Sequence, residues 1–453
     1  MANIVFFVSF LQNDFNSTIK LAKTLKSLGH KVFYLGMLDL EEKVFKYGFP
    51  FLPILEKWFP KGYYKQEDYN ILNFSGLRLS LEKKKYRILR SSLIYSLYKG
   101  ENREIHNAIK KTNTDLLLIG TSCSSEASVI AYIAYECQIS TIYLTDMFTE
   151  LPPPKNLILQ EEEINLNDQS LKIFYKYQFH NWIKAFQTNL AWLIGRTSDE
   201  DIIKKLATIK SKIPLELLDF SRNLPLKLPH LFLCPEELDF PDSSREGCYY
   251  AEASIDLQRE EPSFDWSKLN KDQVLIYCSL GTTGETFETL GINKVKQFFQ
   301  NVIDAVSLKK EYQLIVSVSD HINVEDFHSV PENTIIVNRA PQLALLEKAS
   351  LAIIHGGVRT IKECIFFGVP MIVFPVSADQ PENAERIEYH RLGIVGNIKN
   401  TSANLIIDSI EEIENDFLLK QRLEAWKNKF REIEHSEKAT KFILNILEQN
   451  KYI

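Results

Sequence analysis

The chain reads as an α/β protein made of two doubly wound, Rossmann-like halves joined by a linker. Three observations predict this. Continuous apolar runs of strand length recur, and segments of helical length separate them, as in a parallel sheet with crossover helices. The rhythm stops from Phe240 to Lys271, an aperiodic stretch rich in Pro, Ser, Asp and Glu, and then restarts. The 453 residues suffice for two or three domains, each with its own core.

The first half opens on NIVFFVSF, residues 3–10, a buried strand followed by a polar turn. Residues 17–28 then carry Ile19, Leu21, Ala22, Leu25 and Leu28 at helical spacing, and Gly29 ends that helix. KVFYLG is the second strand, and DLLLIG (115–120) and STIYLT (140–145) are further ones. Residues 45–75 and 150–190 interrupt the pattern with aromatics. These are Phe49, Phe51, Trp58, Phe59, Tyr63, Tyr64, Tyr69 and Phe74, then Phe174, Tyr175, Tyr177, Phe179 and Trp182. They read either as walls for an apolar ligand or as ordinary packing. The second half begins with QVLIYCSLGTTGE (273–285), and YQLIVSVS, TIIVNRA, LAIIH and VPMIVFP supply more strands. After residue 401 the chain is helical and charged. The expected domains are 1–250 and 272–436, with 251–271 as linker.

Composition excludes several classes. Charged residues at 25% and apolar residues at 45% describe an ordinary globular protein. Lys plus Arg number 53 against 59 Asp plus Glu, a net charge of −6, which argues against nucleic acid as a partner. The six cysteines are scattered without a C-x-x-C, so a metal site or a disulfide framework is not expected. The run Ile4–Phe10 is too short for a membrane span and lacks a basic leader, so it reads as a core strand, and the cytoplasm is the expected compartment.

The richest segment runs from Arg339 to Gly393. LAIIH is a strand ending in His355; Gly356 and Gly357 form a turn; VRTIKECIFFG is a helix; VPMIVFP is another strand; Asp379, Gln380 and Asn383 open the next helix. Ligands of parallel sheets sit at such strand-to-helix edges. A glycine turn into a helix start offers N–H groups and a positive dipole end, which suits phosphate.

This segment closely resembles the donor-binding signature of the family-one nucleotide-sugar glycosyltransferases, which include plant secondary-product, macrolide and sterol enzymes. The family pattern is W-A-P-Q, H-x-G-x-N-S-x-x-E, G-V-P and D-Q-x-x-N. Here it stands as Arg339-Ala340-Pro341-Gln342, His355 through Glu363, Gly368-Val369-Pro370, and Asp379-Gln380-Pro381-Glu382-Asn383. The resemblance implies a GT-B fold, two Rossmann-like domains facing each other across a cleft. It places the nucleotide in the C-terminal half and returns the last helix, 437–453, to the N-terminal half.

Carried over residue by residue, the resemblance sets Gln342 at the uracil edge. Arg339 replaces a stacking Trp; its guanidinium could lie over a base, or it is a surface arginine. Ala340 belongs to the same donor-binding motif. His355 and Thr360 match phosphate ligands, with Gly357 in the turn between strand and helix. As alternatives, His355 is a core histidine and Thr360 caps the helix in a box with Glu363. Arg359 replaces an Asn and pairs either with the diphosphate or with Glu363 at i,i+4. Glu363 matches the carboxylate accepting both ribose hydroxyls, which favours UDP over a deoxynucleotide. Asp379 and Gln380 match the pair reading sugar hydroxyls, best used by glucose, or else they supply helix N-terminal polarity. Ser279, Gly281 and Thr282 match the turn facing the β-phosphate.

The chain departs from the family at its first turn, Leu11 to Ser17, where most members have Gly-His with the His as general base. Asp14 stands there, as in the sterol and glycopeptide-antibiotic branches, which carry G-D-V. The strand end that holds the orienting acid in His-based members is Gly120 here, consistent with a carboxylate base that needs no tautomer fixed. The alternative is that Asp14, Asn16 or Ser17 caps the first helix. The resulting expectation is an inverting hexosyltransferase with Asp14 as the catalytic base. It would use a UDP-sugar co-substrate, no cofactor and no metal, and a small, largely apolar hydroxylated acceptor. No membrane span and a monomer or weak dimer are expected. The other reading is an inactive nucleotide-sugar-binding helper of a partner glycosyltransferase. A sugar-nucleotide epimerase is disfavoured by the D-Q-x-x-N segment.

Overall fold

A computed structural model describes residues 1–8, 12–63, 66, 70, 74, 76–100, 103–122, 124–148, 203–220, 223–241, 246–281 and 284–449. The chain forms two compact units. One comprises Met1–Gln66, Ser80–Ala251 and Lys438–Ile453; the other comprises Glu67–Leu79 and Glu252–Glu437.

The first unit holds a parallel sheet of β1 (Asn3–Phe7), β2 (Lys31–Gly36), β3 (Phe51–Pro53), β4 (Leu116–Gly120), β5 (Ser140–Thr145), β6 (His230–Phe232) and β7 (Cys248–Tyr250). The spatial order is β3-β2-β1-β4-β5-β6-β7, with Ile4 opposite both Val32 and Leu116. Helices cover both faces of such a sheet, so its strands read as unbroken apolar runs; every residue of β4 is buried. The helices in this half are α1 (Gln12–Ser27), α2 (Glu41–Lys46), α3 (Gly76–Lys99, its residues up to Leu79 grouping with the other unit), α4 (Glu104–Thr112) and α5 (Ser124–Glu136). Alternation along β1 sends Ile4 and Phe6 into one core and Val5 and Phe7 into the other.

Two expectations change here. The first helix begins at Gln12, because Phe15, fully buried, starts the apolar stripe that Ile19, Ala22 and Leu25 continue. Asp14, Asn16 and Ser17 therefore lie inside the helix, and a cap at Asn16 or Ser17 is excluded. The aromatics Phe49, Phe51 and Phe59 are buried in the two cores, and Trp58 and Tyr63 pack against one of them. Phe49 packs on Tyr34, whose hydroxyl shares a 2.8 Å hydrogen bond with Thr18 Oγ1. These rings are packing. Tyr64, Tyr69 and the aromatics between 150 and 190 lie outside the described residues.

The second unit holds β8 (Val274–Ser279), β9 (Tyr312–Ser317), β10 (Thr334–Val337), β11 (Leu351–Ile354), β12 (Met371–Val373) and β13 (Gly393–Val395). All are parallel in the order β10-β9-β8-β11-β12-β13, so the direction of winding reverses between β8 and β11. Its helices are α6 (Gly284–Leu290), α7 (Ile292–Ser307), α8 (Gln342–Leu346), α9 (Val358–Phe367), α10 (Gln380–Tyr389), α11 (Ala403–Asn415) and α12 (Phe417–Glu434). Residues from Glu252 onward, expected to be linker, belong to this unit. The last helix, α13 (Lys438–Gln449), belongs to the first unit, where Ala439, Ile443 and Leu447 enter the core beside α1. Among the described residues no helix is long and apolar enough to cross a membrane.

Candidate functional site

The carboxyl edge between β8 and β11 is the switch point of the second sheet, where such folds bind ligands. Two glycine turns meet there around His355. A Cβ built on Gly281 would lie 2.7 Å from His355 Nε2, and one on Gly357 would lie 2.6 Å from it. Gly281 also has φ +80°, a left-handed conformation that suits glycine. Ser279 ends β8, and its hydroxyl accepts from Gly281 N at 3.2 Å. Gly357 is the N-cap of α9 without a side-chain cap, so the first turn presents N–H groups that the helix itself cannot satisfy. Thr360 is the third residue of that helix, which excludes the capping box with Glu363.

Three buried polar atoms at this edge make no hydrogen bond: His355 Nδ1, Thr286 Oγ1 and Ser377 Oγ. They follow β11, β8 and β12 respectively. Each such orphan costs about 1–3 kcal/mol in a folded protein, so each suits a polar guest at this edge. Sequence reading missed Thr286 and Ser377. The available signal was their position, one just past the G-T-T-G turn and the other two residues before Asp379.

Burial pulls the His355 imidazole down from 6.5 to about 4, with the Ser279 backbone opposing, so the ring is neutral at pH 7. Unfolded histidine takes a proton near 6.5, and the folded ring resists until about 4. The unfolded state therefore binds more protons in that window, and stability falls as pH drops from 6.5 toward 4. Because the residue as a whole is only half-buried, solvent screening trims the loss to about 1–2 kcal/mol. The urea midpoint of the parent should fall relative to that of His355→Asn as pH drops through this range. Parallel curves would show that His355 titrates like a solvated histidine.

Glu363, 3% exposed, sits among charged and polar partners. Arg259 Nη1 donates to its Oε1, and Arg259 Nη2 donates to its Oε2 at 3.2 Å. Gln342 Nε2 donates to the same Oε2 at 2.5 Å and approaches Thr360 Oγ1 at 3.4 Å, while Gln342 Oε1 accepts from the Tyr277 hydroxyl at 3.1 Å. Arg259 Nη2 also reaches Glu261 at 3.3 Å. Glu261 in turn accepts from Leu343 N at 2.8 Å and Ala344 N at 3.1 Å at the start of α8.

On the β12 side, Gln380 Oε1 accepts from Val376 N at 2.9 Å and Ser377 N at 3.2 Å. Asp379, at the N-cap position of α10, accepts from Asn383 Nδ2 at 2.6 Å. Asn383 Nδ2 also donates to Gly356 O at 2.9 Å, tying this loop to the turn after β11.

Residues 301–433 match the family described as "Erythromycin biosynthesis protein CIII-like, C-terminal domain". The chain is 26% identical over 253 residues to "Uncharacterized UDP-glucosyltransferase YdhE" of Bacillus subtilis (strain 168), covering 55% of this chain and 60% of that protein. The structure resembles "CalG4, the Calicheamicin Glycosyltransferase" at TM-score 0.66 and 13% identity, over 99% of this chain and 98% of that one. It also resembles "glycosyltransferase VinC in complex with DTDP" at TM-score 0.65 and 13% identity, over 99% and 100%. At that identity the likeness establishes the GT-B fold. Residues 301–433 thus match that family model, and the chain as a whole has the GT-B fold.

The match spans 60% of the first relative's length and 46% of a second's. The elements at the carboxyl edge of the second sheet carry Ser279, Gly281, Gln342, His355, Gly357, Thr360, Glu363, Asp379 and Gln380. Ala340 lies just before α8, and Arg359 is the second residue of α9. Arg339 is exposed, and its Nε donates to Asp320 Oδ2 at 2.5 Å, which makes it a surface ion pair in this state. Thr282 and the Asp14 side chain lie outside the described residues; the Asp14 backbone is in α1 of the first unit. Sequence reading missed Arg259 and Glu261 altogether. Among the described residues, no group of three or more His, Cys, Asp or Glu is arranged to hold a metal ion.

Proposed function

We propose that the chain is an inverting glycosyltransferase that moves a hexose from a UDP-sugar to a hydroxyl of a small, largely apolar acceptor. The observation that carries this reading is the pair of glycine turns against His355 at the switch point, beside an uncapped helix start, with unpartnered polar atoms on the segments that follow β8, β11 and β12. Neutral His355, the Thr286 and Ser377 hydroxyls and the first-turn N–H groups of α9 donate to the diphosphate. As the sugar leaves, charge builds on the β-phosphate, and these fixed donors stabilise it without a metal. Gln342 reads the base edge, Glu363 meets the ribose, and Asp379 and Gln380 face the sugar. Asp14 takes the acceptor proton. Similarity to a UDP-glucosyltransferase in sequence and to a calicheamicin glycosyltransferase in fold supports the donor class and a natural-product acceptor. Glucose is the proposed sugar.

Thr286→Val is a discriminating test. It removes a buried hydroxyl that has no partner in the free protein, so the variant should melt at or above the parent temperature. Calorimetry should nonetheless read UDP affinity lower by about tenfold, one lost hydrogen bond to a charged group, and His355→Ala should weaken it as well. If both variants bind UDP as the parent does, this edge is not the donor site. The absence of the usual histidine at the first turn favours one second reading, an inactive helper that binds the same nucleotide. Release of UDP from UDP-glucose in water separates the two, because a helper would release none.

A further inference from the structure

The Arg259–Glu363 pair changes what the site can recognise, given the nucleotide reading above. A carboxylate offers about four acceptor positions. Arg259 takes one on each oxygen of Glu363, and Gln342 takes a second on Oε2. One position remains, on Oε1. A ribose presents two adjacent hydroxyls, so Glu363 can accept from only one of them while Arg259 stays in place.

Arg259 is anchored to stay. Its side chain is 16% exposed and that of Glu363 is 4% exposed, so the pair is largely withdrawn from water. Two residues on, Glu261 holds both the guanidinium and the first N–H groups of α8. Breaking such a pair strands a buried charge, which is strongly unfavourable. The planar guanidinium also spans both carboxylate oxygens, a geometry that lysine cannot reproduce.

We infer that Arg259 is a specificity-determining residue: by occupying Glu363 it leaves one ribose hydroxyl to be read, so the site accepts 2′-deoxyribonucleoside diphosphates nearly as well as ribonucleoside diphosphates. The donor class thereby widens to nucleoside diphosphate sugars of either pentose. Freed of Arg259, Glu363 would regain the capacity to accept from both hydroxyls.

The experiment is calorimetry with UDP and 2′-deoxy-UDP on the parent, Arg259→Gln and Arg259→Lys, with melting curves as the check on folding. The parent should prefer UDP by less than about threefold. Arg259→Gln should raise the preference to roughly tenfold or more, as one added hydrogen bond to a charged acceptor does. Arg259→Lys should fall between, and it carries the test alone if the Gln variant does not fold. A parent that already prefers UDP tenfold, with a preference that neither variant changes, overturns the inference while leaving the nucleotide reading intact. A parent that binds neither nucleotide overturns both.

Discussion

Asp14→Asn should bind UDP like the parent and transfer sugar at least about 10²-fold more slowly, the scale expected of a general base. Asp14 is the third residue of α1, inside the first helical turn. A helix's positive N-terminal end favours a carboxylate in its first turn. The same field weakens it as a base, and desolvation by an apolar acceptor must restore that basicity. Asn keeps the shape but loses the charge, so stability should fall by only about 0.3–1 kcal/mol. The competing role for an acid in a first turn is support of the helix itself, by dipole or by reaching back to the helix start. In that case Asp14→Asn is fully active and melts slightly lower, and Asp14→Ala adds a further loss of stability without loss of turnover. Product stereochemistry is an independent check, because one displacement on an α-linked donor gives a β-glycoside.

The second unit was the more legible half. Its strands are buried on both faces, so QVLIYCS and LAIIH stand out as apolar runs, and the glycines at their ends mark the edge where α9 begins. The start of α1 was hidden because Gln12, Asn13 and Asp14 look like a polar turn; only the burial of Phe15 extends the helix backward. Burial is also what turned Phe49 and Phe59 from candidate ligand walls into core, and alternation alone could not decide that. Arg259 and Glu261 were invisible for a different reason. They lie in an aperiodic stretch, and Arg259 meets Glu363 104 positions away in sequence. An ion pair between a loop and a helix leaves no period to read. Thr286 and Ser377 carry no signal of their own either, because a missing hydrogen-bond partner is a property of the packed structure.

Gln380 separates recognition from architecture more sharply than its neighbours do. Its Oε1 accepts from Val376 N and Ser377 N, which fixes the amide, and in the proposed function Nε2 is the end that meets a sugar hydroxyl. The latch also spans Ala378, whose φ of +52° is costly for a residue with a Cβ, by roughly 1–2 kcal/mol. Gln380→Glu preserves an acceptor for the same two N–H groups, and its charged oxygen binds them more strongly than an amide does. In the proposed function it removes the donor and sets a negative charge beside the transferred sugar and its diphosphate. The expected result is a melting temperature near the parent's and turnover with UDP-glucose reduced by about 10²-fold, the loss of one donor that acts in the transition state. Gln380→Ala loses latch and donor together, so it should melt lower as well as turn over slowly. A Glu variant with parental turnover would reduce Gln380 to a loop support and leave Asp379 alone to read the sugar.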